Sequence, residues 1–215
     1  MATSPAVTPD SARGDAPSRI LAAAEQLFAE QGYAAVSISA IAERAGISKA
    51  NVFHHFSSKR ELYLAVVRHA CRGAAERLEH LEAHGDHFHE RFSAYAVKVL
   101  EGMLKRERLH RLMLRELLTG NDDSLAKELA ERVFGPNFAR LVAILRNGQA
   151  RGALRKDFDP AVAALALCGA SYFFLQSRNV IQHLPDAGCA ADPNRYSELL
   201  ADLLLRGMLP QSPAD

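Results

Sequence analysis

Charge of one sign is what this sequence has least of. Across 215 residues, 26 lysines and arginines meet 25 aspartates and glutamates, a formal net charge of +1. No global polarity points to nucleic acid or to an acidic surface, so any such footprint must be local. Cysteine is scarce as well. Cys71, Cys168 and Cys189 are widely spaced and odd in number, which fits a reducing, cytoplasmic compartment better than a disulfide framework. The longest apolar run, "AVAALALCGASYFFL", stops at about fifteen residues, short of the ~18 that a membrane-spanning helix needs. No membrane partner is expected, and no secretory signal, since no basic patch leads into an apolar stretch at the start. Strand signals are sparse: β-branched residues are scattered and no hairpin dipeptide separates alternating runs. Paired carboxylates, a glycine-rich phosphate loop, a nucleophile elbow and a complete metal-ligand set are all missing. The reading is of a non-enzyme with no cofactor and no metal.

What remains is helical spacing, in a chain that is 48% hydrophobic and so able to bury a core. Residues 1–17, rich in Pro, Ala and Ser, read as a disordered tail. A first helix is predicted from Ser18 as N-cap, with Ile20, Ala24, Leu27 and Phe28 as its stripe and Gly32 as its stop. A second starts near Ser37 or Ser39, carries Ile41 and Ala45 inward, and ends at Gly46, where a left-handed residue is expected. Ser48 caps a third helix over about 49–56, with Val52 and Phe56 facing the core. Ser58 and Glu61 form a capping box for a fourth. That helix is predicted as one run bearing Leu62, Val66, Ala70, Ala74, Leu78 and Leu81. Further helices follow around Phe92–Met103, Leu109–Leu118, a stretch over 124–152 kinked or broken at Gly135-Pro136, one from Asp159-Pro160, and one over about 194–208. Gly120-Asn121 is predicted to end the second of these. The Pro160 helix is apolar nearly all round and should be buried on several sides.

The stretch "SISAIAERAGISKANVFHHFSSKREL" carries the chemistry. Two short helices joined by a glycine-bearing turn describe a helix-turn-helix, whose second helix can enter a DNA major groove. Between positions 40 and 60 lie four basic residues and one acidic residue, a modest local patch. Val52 and Phe56 fix one face of the helix. Lys49 and Asn51 can reach base edges; His54, His55 and Lys59 can reach phosphate oxygens. Ser37 and Ser39, at the start of the preceding helix, make a natural phosphate seat. His55 reads equally as a capping or packing residue, and Arg44 as a solvated one.

The segment from Ser18 to Val67, "ILAAAEQLFAEQGYAAVSISAIAERAGISKANVFHHFSSKRELYLAVV" in its signature part, resembles the DNA-binding domain of TetR-family transcriptional regulators. "IAERAGISK" and the aromatic-His-Phe run before "SSKREL" are its specific phrases. The resemblance implies that Ser48, Lys49, Ala50 and Asn51 open the recognition helix. It also implies that Phe53 and His54 touch the sugar-phosphate backbone, that His55 matches the family histidine, and that Lys59 contacts phosphate. The first aromatic is commonly Tyr in the family. Phe53 has no hydroxyl, so His54 is expected to take over that hydrogen bond.

The expected architecture is all-α. A helix-turn-helix DNA-binding domain over 18–64 joins a larger helical ligand-binding and dimerisation domain over 65–210, and 211–215 form a short tail. Met103, His110, Met113, Arg115, Phe134, Phe138, Tyr172 and Gln176 are expected to frame an apolar cavity with a few polar anchors. Each of the aromatic and thioether members reads equally as plain core. The expected partners are a palindromic double-stranded DNA operator, a small-molecule effector and a second copy of the chain. The last two helices are expected to form the dimer seam, and effector binding to tilt the fourth helix. His80, His84, His87 and His89 read as a corner between domains, because Gly85 breaks the helix and no further ligand completes a cage. The function read from all this is a repressor that an effector releases from DNA. The alternatives are an activator and a helical interaction module without an effector.

Overall fold

The computed structural model describes residues 15–82, 87–119 and 122–210, with side chains except at 115–119 and 190. Among the described residues every regular element is helical and no strand occurs. The tail positions 1–14 and 211–215, together with His84, Gly85 and Gly120-Asn121, lie outside them. The chain divides into two compact units, the first ending at Val66 and the second beginning at Val67.

In the first unit, α1 spans Ala16–Gln31 and opens on Asp15, with Pro17 in its first turn. It begins earlier than a cap at Ser18 predicts. Proline is pre-set for a first helical turn, where its missing N–H costs nothing, so it starts the helix rather than ending a tail. Ile20, Ala23, Ala24, Leu27 and Phe28 are buried along one face, and the Gly32 N–H closes on the Phe28 carbonyl. The second helix, α2, spans Ile38–Ala45; its N-cap is Ser37, whose side chain accepts the Ala40 N–H. Ser39 is exposed inside it. Gly46 is left-handed, at φ 65° and ψ 40°, a conformation that costs an L-residue ~1 kcal/mol or more. A Cβ there would also meet the Arg19 guanidinium at 3.0 Å. Arg19 in turn donates to the carbonyls of Ala45 and Gly46, satisfying acceptors that a helix end leaves open.

Ser48 caps α3 (Lys49–His55) by accepting the Asn51 N–H. Ser58 accepts the Glu61 N–H at the start of α4, which covers Lys59–Ala70. Tyr63 of α4 meets Phe28 edge-on at 5.3 Å and Tyr33 at 4.7 Å, so aromatic packing pins the start of α4 against α1 and the residues that follow it.

The expected single fourth helix is in fact two. A turn at Cys71–Gly73 separates α4 from α5 (Ala74–Glu82). Gly73 sits at φ 85°, which breaks the right-handed run although the apolar stripe continues across it.

In the second unit come α6 (Phe88–Lys105), α7 (Glu107–Thr119) and α8 (Asp123–Leu129). A π turn over Ala130–Phe134 leads into α9 (Gly135–Ala150). Gly135-Pro136 therefore follows a π turn within a continuous helical run, a distortion rather than a break, and its form has a cause. Pro136 cannot donate to the Arg132 carbonyl, and the Gly135 N–H reaches the Ala130 carbonyl instead. A Cβ on Gly135 would lie 2.5 Å from that oxygen. Asp159 caps α10 (Pro160–Ile181), and α11 spans Pro193–Met208. Leu78, Leu81, Phe92, Leu141, Leu145, Leu167 and Leu205 share the core of this unit.

The Pro160 helix is not buried on several sides. Its best 18-residue window has a mean hydropathy of 1.4 and is only 39% buried, which makes α10 long and apolar enough to cross a membrane by that measure. The uninterrupted apolar run ends at about fifteen residues, but the average over the helix stays apolar past it. Its last turns carry Arg178, paired with Glu107 at 3.0 Å. Val162, Leu165, Phe173 and Val180 are left exposed on it.

Candidate nucleic-acid interface and ligand cavity

On α3 the side chains divide as a groove-reading helix requires. Val52 is fully buried. Ser48, Lys49, Ala50, Phe53, His54 and His55 are exposed and Asn51 is half-buried. Phe56 is half-buried too and ends the helix rather than lying within it, so Val52 alone is its deep anchor. Phe53 is 45% exposed, unusual for so large an apolar ring, and the Lys49 ammonium lies 6.0 Å from its centroid. The His54 and His55 rings meet edge to face at 5.0 Å. Ser37 and Ser39 are exposed at the start of α2. Because Ser37 accepts the capping bond, its hydroxyl proton points elsewhere and can donate to an anion.

Lys59 is placed differently from a purely solvated lysine. Its Nζ donates to the Ala34 carbonyl at 3.1 Å and lies 4.6 Å from the Tyr33 centroid; burial lowers its pKa. Arg44 makes an exposed contact with Gln26 and lies 4.0 Å from Glu30.

The second unit holds a cavity of about 430 Å³, a size suited to a small organic molecule. Met103, His110, Phe134, Phe138 and Tyr172 line it, as the sequence suggests. Met113 does not: it is buried, but away from the cavity wall. Gln176 is exposed and offers its backbone carbonyl to Arg111 at 3.2 Å. One turn beyond Tyr172, the line of α10 has already passed the cavity. The side chain of Arg115 lies outside the described set.

Tyr95, Cys168, Cys71 and Arg77 also line the cavity and were missed. Tyr95 and Cys168 were findable: Cys168 is one helical turn from Tyr172, and Tyr95 two turns from Met103 on the same stripe. Arg77, set among Glu76 and Glu79, reads from sequence as a solvated position.

Burial holds the histidine and the cysteines of the cavity neutral. His110 is buried, and its pKa is pushed down to about 4, first by burial and then by the charges of Arg106 and Arg77. Its Nδ1 shares a hydrogen bond of 3.3 Å with the Tyr172 hydroxyl. Burial raises Cys71 to about 11 and also raises Cys168. Both are thiols rather than reactive thiolates at neutral pH. No cluster of three metal-ligating side chains occurs among the described residues.

A two-unit helical chain with a capped, half-exposed helix after a glycine turn defines the class of helix-turn-helix regulators. "Bacterial regulatory proteins, tetR family" matches residues 20–66, and "Tetracyclin repressor-like, C-terminal domain" matches residues 88–185. The chain belongs to the TetR family, a family of transcriptional regulators rather than enzymes. It is similar to the HTH-type transcriptional activator FasR of Mycolicibacterium smegmatis, 46% identical over 56 residues, or 26% of each chain. It is also similar to the HTH-type transcriptional repressor AcnR of Corynebacterium efficiens, 34% identical over 98 residues, covering 44% of this chain and 45% of that one. The match thus spans about a quarter and under half of these two relatives. The fold is shared with SmeT, the repressor of the Stenotrophomonas maltophilia multidrug efflux pump SmeDEF. That likeness has a TM-score of 0.67 at 24% identity and covers 93% of both chains.

Proposed function

We propose that this chain is a repressor that binds a palindromic operator as a homodimer and is released by a small-molecule effector. The exposed polar face of α3 over a single buried anchor, Val52, carries this reading. A structural helix in a hairpin would bury its aromatic residues, whereas Phe53, His54 and His55 stand in solvent.

DNA-binding and effector functions divide between domains over 18–64 and 65–210. In the first, Ser37 and Ser39 seat one phosphate; Ser48, Lys49, Ala50 and Asn51 approach base edges; Phe53, His54, His55 and Lys59 line the backbone. Lys59 must exchange the Ala34 carbonyl for a phosphate oxygen, a charge-assisted and stronger bond. In the second, Met103, His110, Phe134, Phe138 and Tyr172 face the effector. Lys59 opens α4 and Ala70 closes it, and Ala70 and Cys71 line the cavity. A ligand that shifts this wall therefore acts on the helix that carries Lys59. Such coupling is ordinarily worth ~1–3 kcal/mol.

The dimer seam falls on α10 and α11. Val162, Leu165, Phe173 and Val180 of α10 and Leu199 and Leu203 of α11 are exposed, and Gly169 of α10 has open space where a Cβ would stand. Two such helices from each copy make a four-helix bundle, and a two-fold dimer sets its recognition helices about 34–36 Å apart on DNA. AcnR is named a repressor and FasR an activator, so reporter expression in a deletion strain separates the two directions.

Selection of bound DNA from a random pool tests the reading; a palindrome is the expected result, and recovery of unrelated sequences refutes it. On the selected operator, Lys59→Ala should weaken binding to operator and random DNA alike and reduce the salt slope by about one. Asn51→Ala should instead relax preference at one base position, at ~1–3 kcal/mol. Equal losses on both DNAs for the two variants contradict this division of roles.

A further inference from the structure

The cavity wall carries a cation with no carboxylate beside it among the described lining residues. Arg77 lines the cavity, and its Nε is buried without a hydrogen-bond partner. Arg77 as a whole is half-buried, and a guanidinium partly withdrawn from water gains most from an anion, because an unpaired charge in such a place is costly. The chain makes room for this one. A Cβ on Gly102 would stand 3.3 Å from the Arg77 Nη1, and a Cβ on Gly73 3.2 Å from the same atom. The other lining arginine, Arg72, is exposed and holds His69 at 2.7 Å. The remainder of the wall is apolar or neutral: Tyr95, Val99, Met103, Phe134, Leu141 and Cys168 among others.

We propose that Arg77 anchors the effector, and that the effector is an organic anion, a carboxylate carried on an apolar body that fills the 430 Å³ cavity. This rests on the reading of the cavity as the effector site. A planar guanidinium grips a carboxylate with two parallel bonds, and glycines on either side leave the fork uncovered. The uncharged His110–Tyr172 pair serves as a second, neutral polar contact without competing for the anion. At water's share of ~30 Å³ per molecule, the space holds roughly fourteen non-hydrogen atoms, the size of a ten-carbon acid or a naphthoic acid.

Calorimetry on the full chain tests this with matched probes: decanoate against 1-decanol and decylamine, and 2-naphthoate against 2-naphthalenemethanol. At least one carboxylate should bind at least tenfold more tightly than its alcohol, with the amine weakest. Arg77→Met should lower the carboxylate to the level of the alcohol and leave alcohol binding unchanged, which also reports that the cavity is intact. Arg77→Lys, keeping the charge, should retain part of the preference and stands in if the methionine variant does not fold. Equal binding of acid and alcohol, preference for the amine, preference that survives Arg77→Met, or no binding of any probe overturns the proposal. A gel shift without ligand keeps the two readings separate. DNA binding with no anion preference sinks the anchor alone, and anion preference with no DNA binding sinks the regulator alone.

Discussion

Changing Phe173 and Leu203 together to aspartate should turn the proposed dimer into monomers and cost at least a hundredfold in operator affinity. Both side chains are more than 60% exposed in the single chain, so the substitution removes little intramolecular packing, and surface changes of this kind usually alter stability by under ~0.5 kcal/mol. In the bundle, the same aspartates would be placed against the partner's apolar stripe without a counter-charge, at a cost of several kcal/mol per buried ion. Loss of the partner then makes each half-site a separate weak encounter, and joining two sites ordinarily multiplies affinity by ~10²–10⁴. Sedimentation and gel shift read the two effects together. A double variant that remains dimeric at wild-type affinity would place the seam elsewhere.

The second large effect is in acid. The unfolded chain takes up a proton on His110 near 6.5, whereas the folded chain does so only at about 4. Between those values the unfolded state holds more protons, so stability present above pH 6.5 is lost as pH falls toward 4. The size is about 3 kcal/mol, at ~1.4 kcal/mol per pH unit of displacement. Carboxylates titrate in the same window, so the wild type alone does not isolate the effect. His110→Gln keeps a polar group for Tyr172 and removes the titration. Denaturant unfolding of both proteins from pH 7 to 4 should give curves that converge as pH falls, the wild type losing about 3 kcal/mol more. Parallel curves would mean that His110 is already solvated in the native state.

The helix-turn-helix was legible because its determinants are local. Ser37, Ser48 and Ser58 cap, Gly46 turns left-handed and Val52 points inward, each by a rule that operates within four residues. The turn at Gly73 was not, because Val66, Ala70, Ala74 and Leu78 keep helical spacing straight through it and a glycine inside such a pattern is usually tolerated. Five of the eight proposed cavity residues line the wall, since aromatic and thioether side chains on inward stripes tend to meet in the middle of a bundle. Met113 and Gln176 fell away for a reason periodicity does not carry: which part of a stripe faces a void depends on where the neighbouring helices end. Arg77 was hidden by its acidic neighbours. Its burial comes from the packing of α6, where Gly102 leaves the space, and that is a tertiary fact.

The wide turn at Ala130–Phe134 inserts one extra residue into what would otherwise be a continuous rod. Each residue of an α-helix advances the azimuth by about 100°. The wide turn takes up that advance, so Leu125 and Leu129 on one side and Leu141, Ile144 and Leu145 on the other all stay buried. That accommodation hangs on one residue's identity: a side chain at Gly135 would set its Cβ 2.5 Å from the Ala130 carbonyl and force the two halves of the rod apart.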